Sequence, residues 1–267
     1  MPYRLTAAAL AGCLAVSGCV SPEPAAAPKN IYIGLQTDQP GLGYFDGQRR
    51  SGFEYDMANW LANHLKVRPT FVDVKPDRRE QIIKDRDVQL MIGTYSKTDE
   101  RAQHVAFVAP YLFTRQGAMV RATDTSITSF DDLLIRGTVC AARGTTSVKQ
   151  LRERAVNLVE TIGDGECAHA LFKPDGDVRA ASTDQLILRG WAQHDSRLKV
   201  VEGVTFGHVE RYGIGLEKGN KDLCEKVTSA LKEYLLSGTW ETHFRNNLGM
   251  ISPSEHKPDP HSLDRCE

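Results

Sequence analysis

The stretch Val88-Gln89-Leu90-Met91-Ile92-Gly93-Thr94-Tyr95-Ser96-Lys97-Thr98-Asp99-Glu100-Arg101 decides how this chain folds. Val88 to Ile92 is an apolar run and reads as a strand. The run breaks at Gly93, passes Thr94 and Ser96, and enters a short helix. Asp99 and Glu100 fall in the first turn of that helix, where the dipole favours acids. Gly93 has no side chain to keep a ligand away from the backbone. The hydroxyls of Thr94 and Ser96, with nearby amides, are donors for an anion. Arg101 adds a planar fork of N–H groups that matches a carboxylate with two parallel hydrogen bonds.

The same order of residue types returns once. Thr138 to Ala142 reads as a strand, followed by Arg143-Gly144-Thr145-Thr146-Ser147 and a helix through Arg154. Exposed amides at such a helix start suit an anion, and Thr146 or Ser147 is placed to cap it. Val178 to Ala181 then leads into Ser182-Thr183-Asp184 and a helix carrying Leu186, Ile187, Leu188 and Trp191. In open α/β sheets ligands sit outside the carboxyl ends of strands, which is where all three loops fall. Asp184 has two readings, a helix N-cap or a partly buried carboxylate that needs a cationic partner.

Working outward, Ile31 to Leu35 alternates as a strand and feeds the turn-rich loop Gln36 to Phe45. That loop is expected to face the same cleft, with Asp38 or Gln39 accepting from an ammonium. Glu54 to Leu65 is helical, with Phe53, Met57, Trp60, Leu61 and Leu65 as its buried stripe. Thr70 to Val74 is the next strand. Pro76-Asp77 opens a short helix with Arg78 and Arg79 in its first turn, where the dipole disfavours cations. That misplacement suggests a second task, and Arg79 is expected to meet a ligand's side-chain carboxylate. Arg143 is expected to add charge from the opposite side.

Gly52-Phe53-Glu54-Tyr55-Asp56-Met57-Ala58, with Leu61-Ala62 and Leu65, resembles the signature of the family 3 extracellular solute-binding proteins, polar amino acid receptors of ABC importers. Tyr55 departs from it, standing where the family has an aliphatic residue. Asp87 to Tyr111, Arg143-Gly144-Thr145-Thr146, Ser182-Thr183-Asp184 and Tyr212-Gly213-Ile214-Gly215 extend the resemblance from about Ile31 to Leu248. It implies an α/β, two-lobed periplasmic-binding-protein-like fold of type II, in which two hinge strands join the lobes. Lobe 1 is expected to comprise residues 30–119 and 212–250, and lobe 2 residues 120–211, with a tail over 251–267. The resemblance places the ligand's carboxylate on Gly93, Thr94, Ser96 and Arg101. It closes Thr145 and Thr146 over that carboxylate and puts the α-ammonium on Asp184.

The implied function is capture of a free polar amino acid by lobe closure, followed by presentation to a membrane ABC permease. Arg79 and Arg143 point to glutamate, aspartate or their amides. A lipoprotein reporting amino acid levels to a membrane kinase is the alternative. A lyase of the same fold is disfavoured, because no His or Glu beside these loops stands out as a general acid or base.

The ends and composition add limits. The chain has 267 residues and a formal net charge of −1, so nothing favours nucleic acid. Arg4 and the apolar run Leu5 to Val16 read as an export signal, too short to span a bilayer. Val16-Ser17-Gly18-Cys19 resembles a lipobox, which implies cleavage after residue 18, a lipid on Cys19 and a monomer anchored outside the cytoplasmic membrane. Residues 20–29 read as an extended tether. Cys140, Cys167, Cys224 and Cys266 remain, an even number that suggests two disulfides in an exported chain. Of three connectivities, Cys140–Cys167 and Cys224–Cys266 is preferred because each pair would lie within one lobe. With no Cys-x-x-Cys and no His pair at ligand spacing, neither a metal nor a cofactor is expected.

Overall fold

The structure, a computed structural model, describes residue 1 and residues 29–266 except 175 and 250. Cys19, with nearly all of the expected leader and tether, lies outside the described residues. Among the described residues no helix is long and apolar enough to cross a membrane.

In chain order the elements are β1 (Asn30–Leu35), β2 (Asp38–Gln39), β3 (Gly43–Phe45), β4 (Arg50–Ser51), α1 (Phe53–His64), β5 (Arg68–Asp73), α2 (Arg79–Lys84), β6 (Leu90–Ile92) and α3 (Asp99–Ala102). After them come β7 (Ala106–Arg121), α4 (Phe130–Ile135), β8 (Thr138–Ala142), α5 (Thr146–Glu153), β9 (Leu158–Thr161), α6 (Asp164–Ala170) and β10 (Val178–Asp184). The last are α7 (Gln185–His194), β11 (Leu198–Leu216), α8 (Lys221–Leu236) and α9 (Thr239–Leu248).

Eight strands form one sheet in the order β5-β1-β6-β11-β7-β10-β8-β9. On one side β5, β1 and β6 run parallel; on the other β10, β8 and β9 do. Between them β7 and β11 pair antiparallel along almost their whole length. These two long strands belong to both halves and join them. Both are continuous over 16 and 19 residues. Pro110, which lacks an N–H, sits where the ladder skips opposite Gly213, between the pairs Tyr212↔Leu112 and Ile214↔Val108. β10 pairs with β7 from Gln116 to Met119. The passage into the second half therefore precedes Gln116, a few residues before the expected boundary.

The packing follows the apolar spacing. Phe53, Met57 and Leu61 are fully buried on α1, each contributing about 1.5–3 kcal/mol. They pack with Trp240, Phe244 and the Cys224–Leu235 stripe of α8 in the main core. Trp60 and Leu65 are only partly buried. Gly52, with φ +115°, is required before α1, because a Cβ there would lie 2.1 Å from the Leu42 carbonyl oxygen. A second core fills the other half with Val120, Leu133, Val139 and Leu151.

Both expected disulfides are present, with Cα–Cα distances of 5.4 Å for Cys140–Cys167 and 6.0 Å for Cys224–Cys266. The tail has one 3-10 turn, Pro253–Glu255. It is tied to β7 by the Phe113 amide donating to the His256 carbonyl at 2.9 Å. Asp264 pairs with Lys97 at 2.8 Å and with Arg211 at 2.6 Å.

Candidate functional site

The carboxyl ends of β1, β6, β8 and β10 converge where the two halves meet. A narrow cavity there, about 10 Å³, is on the scale of one water molecule. An amino acid can enter only if the halves part. Gln36, Gln39, Arg79, Thr94, Ser96 and Arg101 line it from lobe 1. Thr145, Thr146, Ser147, Asp164, Thr183 and Asp184 face them from lobe 2.

On the first side, β6 ends at Ile92 and the chain turns sharply at Thr94, whose φ is +43°. The Thr98 side chain caps α3 by accepting the Arg101 amide, which fixes where that arginine starts. The Arg101 guanidinium donates to the Ser96 carbonyl at 2.8 Å and lies 3.4 Å from Glu80. It stacks over the Tyr95 ring at 5.1 Å, and the Arg79 guanidinium stacks over the same ring at 4.7 Å. Burial, with repulsion from Arg101 second, pushes the Arg79 guanidinium down to about 10. Two neighbouring guanidiniums in a dry site make a strong attractor for anions.

On the second side, Thr145 caps α5 by accepting the Val148 amide and donates to the Ala142 carbonyl at 2.7 Å. The cap is thus Thr145, not Thr146 or Ser147. Asp184 occupies the N-cap position of α7 but makes no capping hydrogen bond. Its carboxylate instead accepts from Gln116 Nε2 at 2.7 Å and from the Tyr212 hydroxyl at 2.5 Å. Burial, then the charge of Glu210, hold the Asp184 carboxyl well above the usual range. Both contacts come from neutral donors, so a cation brought into the cleft is what would favour the ionised form of this carboxyl.

Direct contacts draw the halves together. Arg101 Nη2 donates to the Gly144 carbonyl at 2.7 Å and Arg79 Nη2 to the same oxygen at 3.2 Å. Gln39 Nε2 donates to Asp164 at 2.7 Å. Lys149 and Glu100 form an exposed pair at 2.9 Å. Gly144, with φ +75°, brings backbone against backbone, and a Cβ there would stand 2.5 Å from Asp77 Cα.

Of the residues expected from sequence, Arg101, Thr94, Ser96, Thr145, Thr146, Asp184, Arg79 and Gln39 line the cavity. Arg79 differs in detail: its Nε and Nη1 donors are held by the Pro76, Gly93 and Thr94 carbonyls, so it also braces the loop. Gly93 does not face the cavity. A Cβ there would meet Met91 at 2.7 Å and the Gln36 nitrogen at 3.1 Å, so glycine serves close packing against β1. Asp38 lies outside the lining, paired with Lys75 at 3.4 Å and bordering a separate cleft with Tyr44 and Trp191. Arg143 is exposed beyond the end of β8 and is not a lining residue.

Asp164 was missed, although Thr161-Ile162-Gly163-Asp164 repeats the order of strand, glycine, polar residue and helix. Burial and the nearby Asp38 charge push its carboxyl up to about 6. Gln116 was also missed, because nothing local distinguishes it within a long strand, and Tyr212 was noted only within its motif, with no role in the site. Among the described residues no group of three His, Cys, Asp or Glu could hold a metal ion.

Comparison with known proteins agrees with this geometry. Residues 31–250 match the family described as bacterial extracellular solute-binding proteins, family 3. A glutamate-binding protein, GluB, of Corynebacterium efficiens is 30% identical over 249 residues, 88% of this chain and 84% of that protein. A glutamine-binding protein of Geobacillus stearothermophilus is 29% identical, over 84% of this chain and 93% of that one. An ancestral arginine-binding protein bound to arginine superposes with a TM-score of 0.75 at 26% identity, over 84% of this chain and all of that one. A solute receptor for L-cysteine of Neisseria gonorrhoeae gives 0.78 at 25% identity, over 86% and 96%.

Proposed function

The chain belongs to the bacterial extracellular solute-binding proteins, family 3, and from that premise we propose that it captures a free polar amino acid by closing two lobes around it. One observation carries the reading. Lobe 1 presents the Arg101 guanidinium, and lobe 2 presents the buried Asp184 carboxylate, whose partners are neutral. A zwitterion supplies a carboxylate to the first and an ammonium to the second. Ligand contacts made from both lobes bind the closed form better than the open one, and only such differential affinity shifts the equilibrium.

For the side chain we propose glutamate, aspartate or their amides. Arg79 lines the cavity beside Arg101, with Glu80 as the acidic neighbour of the pair, so a second carboxylate or an amide oxygen relieves their repulsion. Relatives named for glutamate and glutamine binding support this choice. The closed form is presented to a membrane permease, with a membrane kinase as the other candidate partner. Lipid on Cys19 keeps the protein at the outer face of the membrane.

A thermal-shift screen of the purified protein against the twenty amino acids tests the reading. Ligand at about 100 times its dissociation constant adds about 2.7 kcal/mol, about 5–10 °C for a chain of this size. Glutamate, aspartate or an amide is expected to give that rise. A rise with lysine, arginine or histidine alone, or with none of the twenty, contradicts it.

A further inference from the structure

Thr94 is a β-branched residue in the left-handed region, with φ +43°. That conformation costs a non-glycine residue about 1–2 kcal/mol and persists only where its surroundings over-determine it. Glycine would adopt it freely, yet threonine stands here lining the cavity, its hydroxyl paired with the Gln39 amide at 3.2 Å. Something must therefore hold the turn.

The Thr94 amide donates to Glu54 Oε1 at 2.6 Å. Glu54 is the second residue of α1, in the segment that reads from sequence as packing, and it is fully buried. The Tyr111 hydroxyl donates to the same oxygen. Among the described residues Glu54 Oε2 has no hydrogen-bond partner. A buried carboxyl with one oxygen unsatisfied is costly, and packing alone is better served there by leucine or methionine. Burial pushes the Glu54 carboxyl up to about 7, while the Tyr111 hydroxyl and the Thr94 amide draw it down. Oε1 remains an acceptor for the amide whether or not the group carries a proton.

We propose that Glu54 is a positioning residue for ligand capture: from α1 it holds the Thr94 backbone in its left-handed turn, and so aims the Thr94 hydroxyl and the loop to Arg101 at the ligand. The proposal rests on the amino acid reading above. It links the α1 segment to the binding loop without contact between Glu54 and the ligand.

The test is a double-mutant cycle on the full chain, read by calorimetric titration with L-glutamate, L-glutamine, L-aspartate and L-asparagine, with melting temperatures recorded alongside. Glu54→Gln keeps an acceptor at the same place and is expected to bind within about 3-fold of the parent. Glu54→Leu removes it and is expected to weaken binding about 5- to 30-fold, because nothing then holds threonine in its strained left-handed turn. In a Thr94→Gly background, itself weakened by loss of the hydroxyl, Glu54→Leu is expected to change affinity less than about 3-fold, because glycine holds the turn unaided. Should Glu54→Leu not fold, Glu54→Asp runs the same cycle, since it withdraws the carboxyl by one methylene. Parent-like affinity in Glu54→Leu, or the same loss in both backgrounds, overturns the proposal. If the parent binds none of glutamate, glutamine, aspartate and asparagine, the functional reading fails first and takes the proposal with it.

Discussion

Replacing Gly144 by alanine should impair ligand capture out of proportion to its effect on stability. The added Cβ would stand 2.5 Å from Asp77 Cα and 2.7 Å from Asp77 N, and backbone atoms cannot swing aside as a side chain does. Relief needs the two loops to separate by about 1 Å. That stretches the hydrogen bonds of Arg101 and Arg79 to the Gly144 carbonyl, now 2.7 and 3.2 Å, to or beyond the limit of useful geometry. Each such charge-assisted bond contributes about 1.5–3 kcal/mol. After partial relaxation closure should lose about 2–4 kcal/mol, or about 30- to 1,000-fold in affinity.

The backbone cost of alanine at φ +75° is about 1 kcal/mol. It falls equally on open and closed forms, so it lowers the melting temperature and leaves affinity alone. Gly238→Ala is the matched control, with φ +76° and nothing within 4 Å of its added Cβ. Calorimetric titration of both variants with the ligand found by the thermal screen separates the two effects. The reasoning is refuted if Gly144→Ala binds as the parent does while both variants lose similar stability. The Gly144–Asp77 contact would then not belong to the liganded form.

Three further outcomes follow from the geometry. Affinity should fall as pH drops through the raised titration range of Asp184, and binding should release protons near that range, measured by calorimetry in buffers of different ionisation enthalpy; binding with no proton release at any pH above the ordinary carboxylate range contradicts the ammonium role. Asp164 is raised from 3.8 to about 6, so its contribution to ligand-free stability is present below its unfolded value and is lost as pH rises through about 6, which denaturant melts of the parent and Asp164→Asn across that window will show. Changing Cys224 and Cys266 together to serine opens a loop with a sequence separation of 42, costing about 4 kcal/mol by chain entropy and about 8–16 °C in melting temperature, whereas exposed Arg143→Ala should leave affinity within about 2-fold.

Much of the site was legible because strands, glycines and hydroxyls occupy contiguous sequence. The loops after β6 and β8 and the end of β10 each announce themselves in four or five residues, and all three reach the cavity. What was hidden depends on contacts between distant segments. Gln116 and Tyr212 aim Asp184 from the two long strands; Gln116 has no local pattern to mark it, and the motif that holds Tyr212 does not show where its hydroxyl reaches. Arg143 looked suitable by spacing, but it follows a strand whose end turns its side chain to solvent. Gly93 was read as room for a ligand, yet its missing Cβ accommodates Gln36 and Met91.

The most direct measurement is calorimetric titration of Arg101→Ala against the parent, with circular dichroism showing the fold intact. Arg101 gives the cleft a guanidinium beside Ser96 and opposite Asp184, and loss of a partly buried, charge-assisted carboxylate pair costs about 3–5 kcal/mol. The account predicts at least about a 100-fold loss of affinity for the amino acid. Binding within about 3-fold of the parent by the folded variant would contradict it.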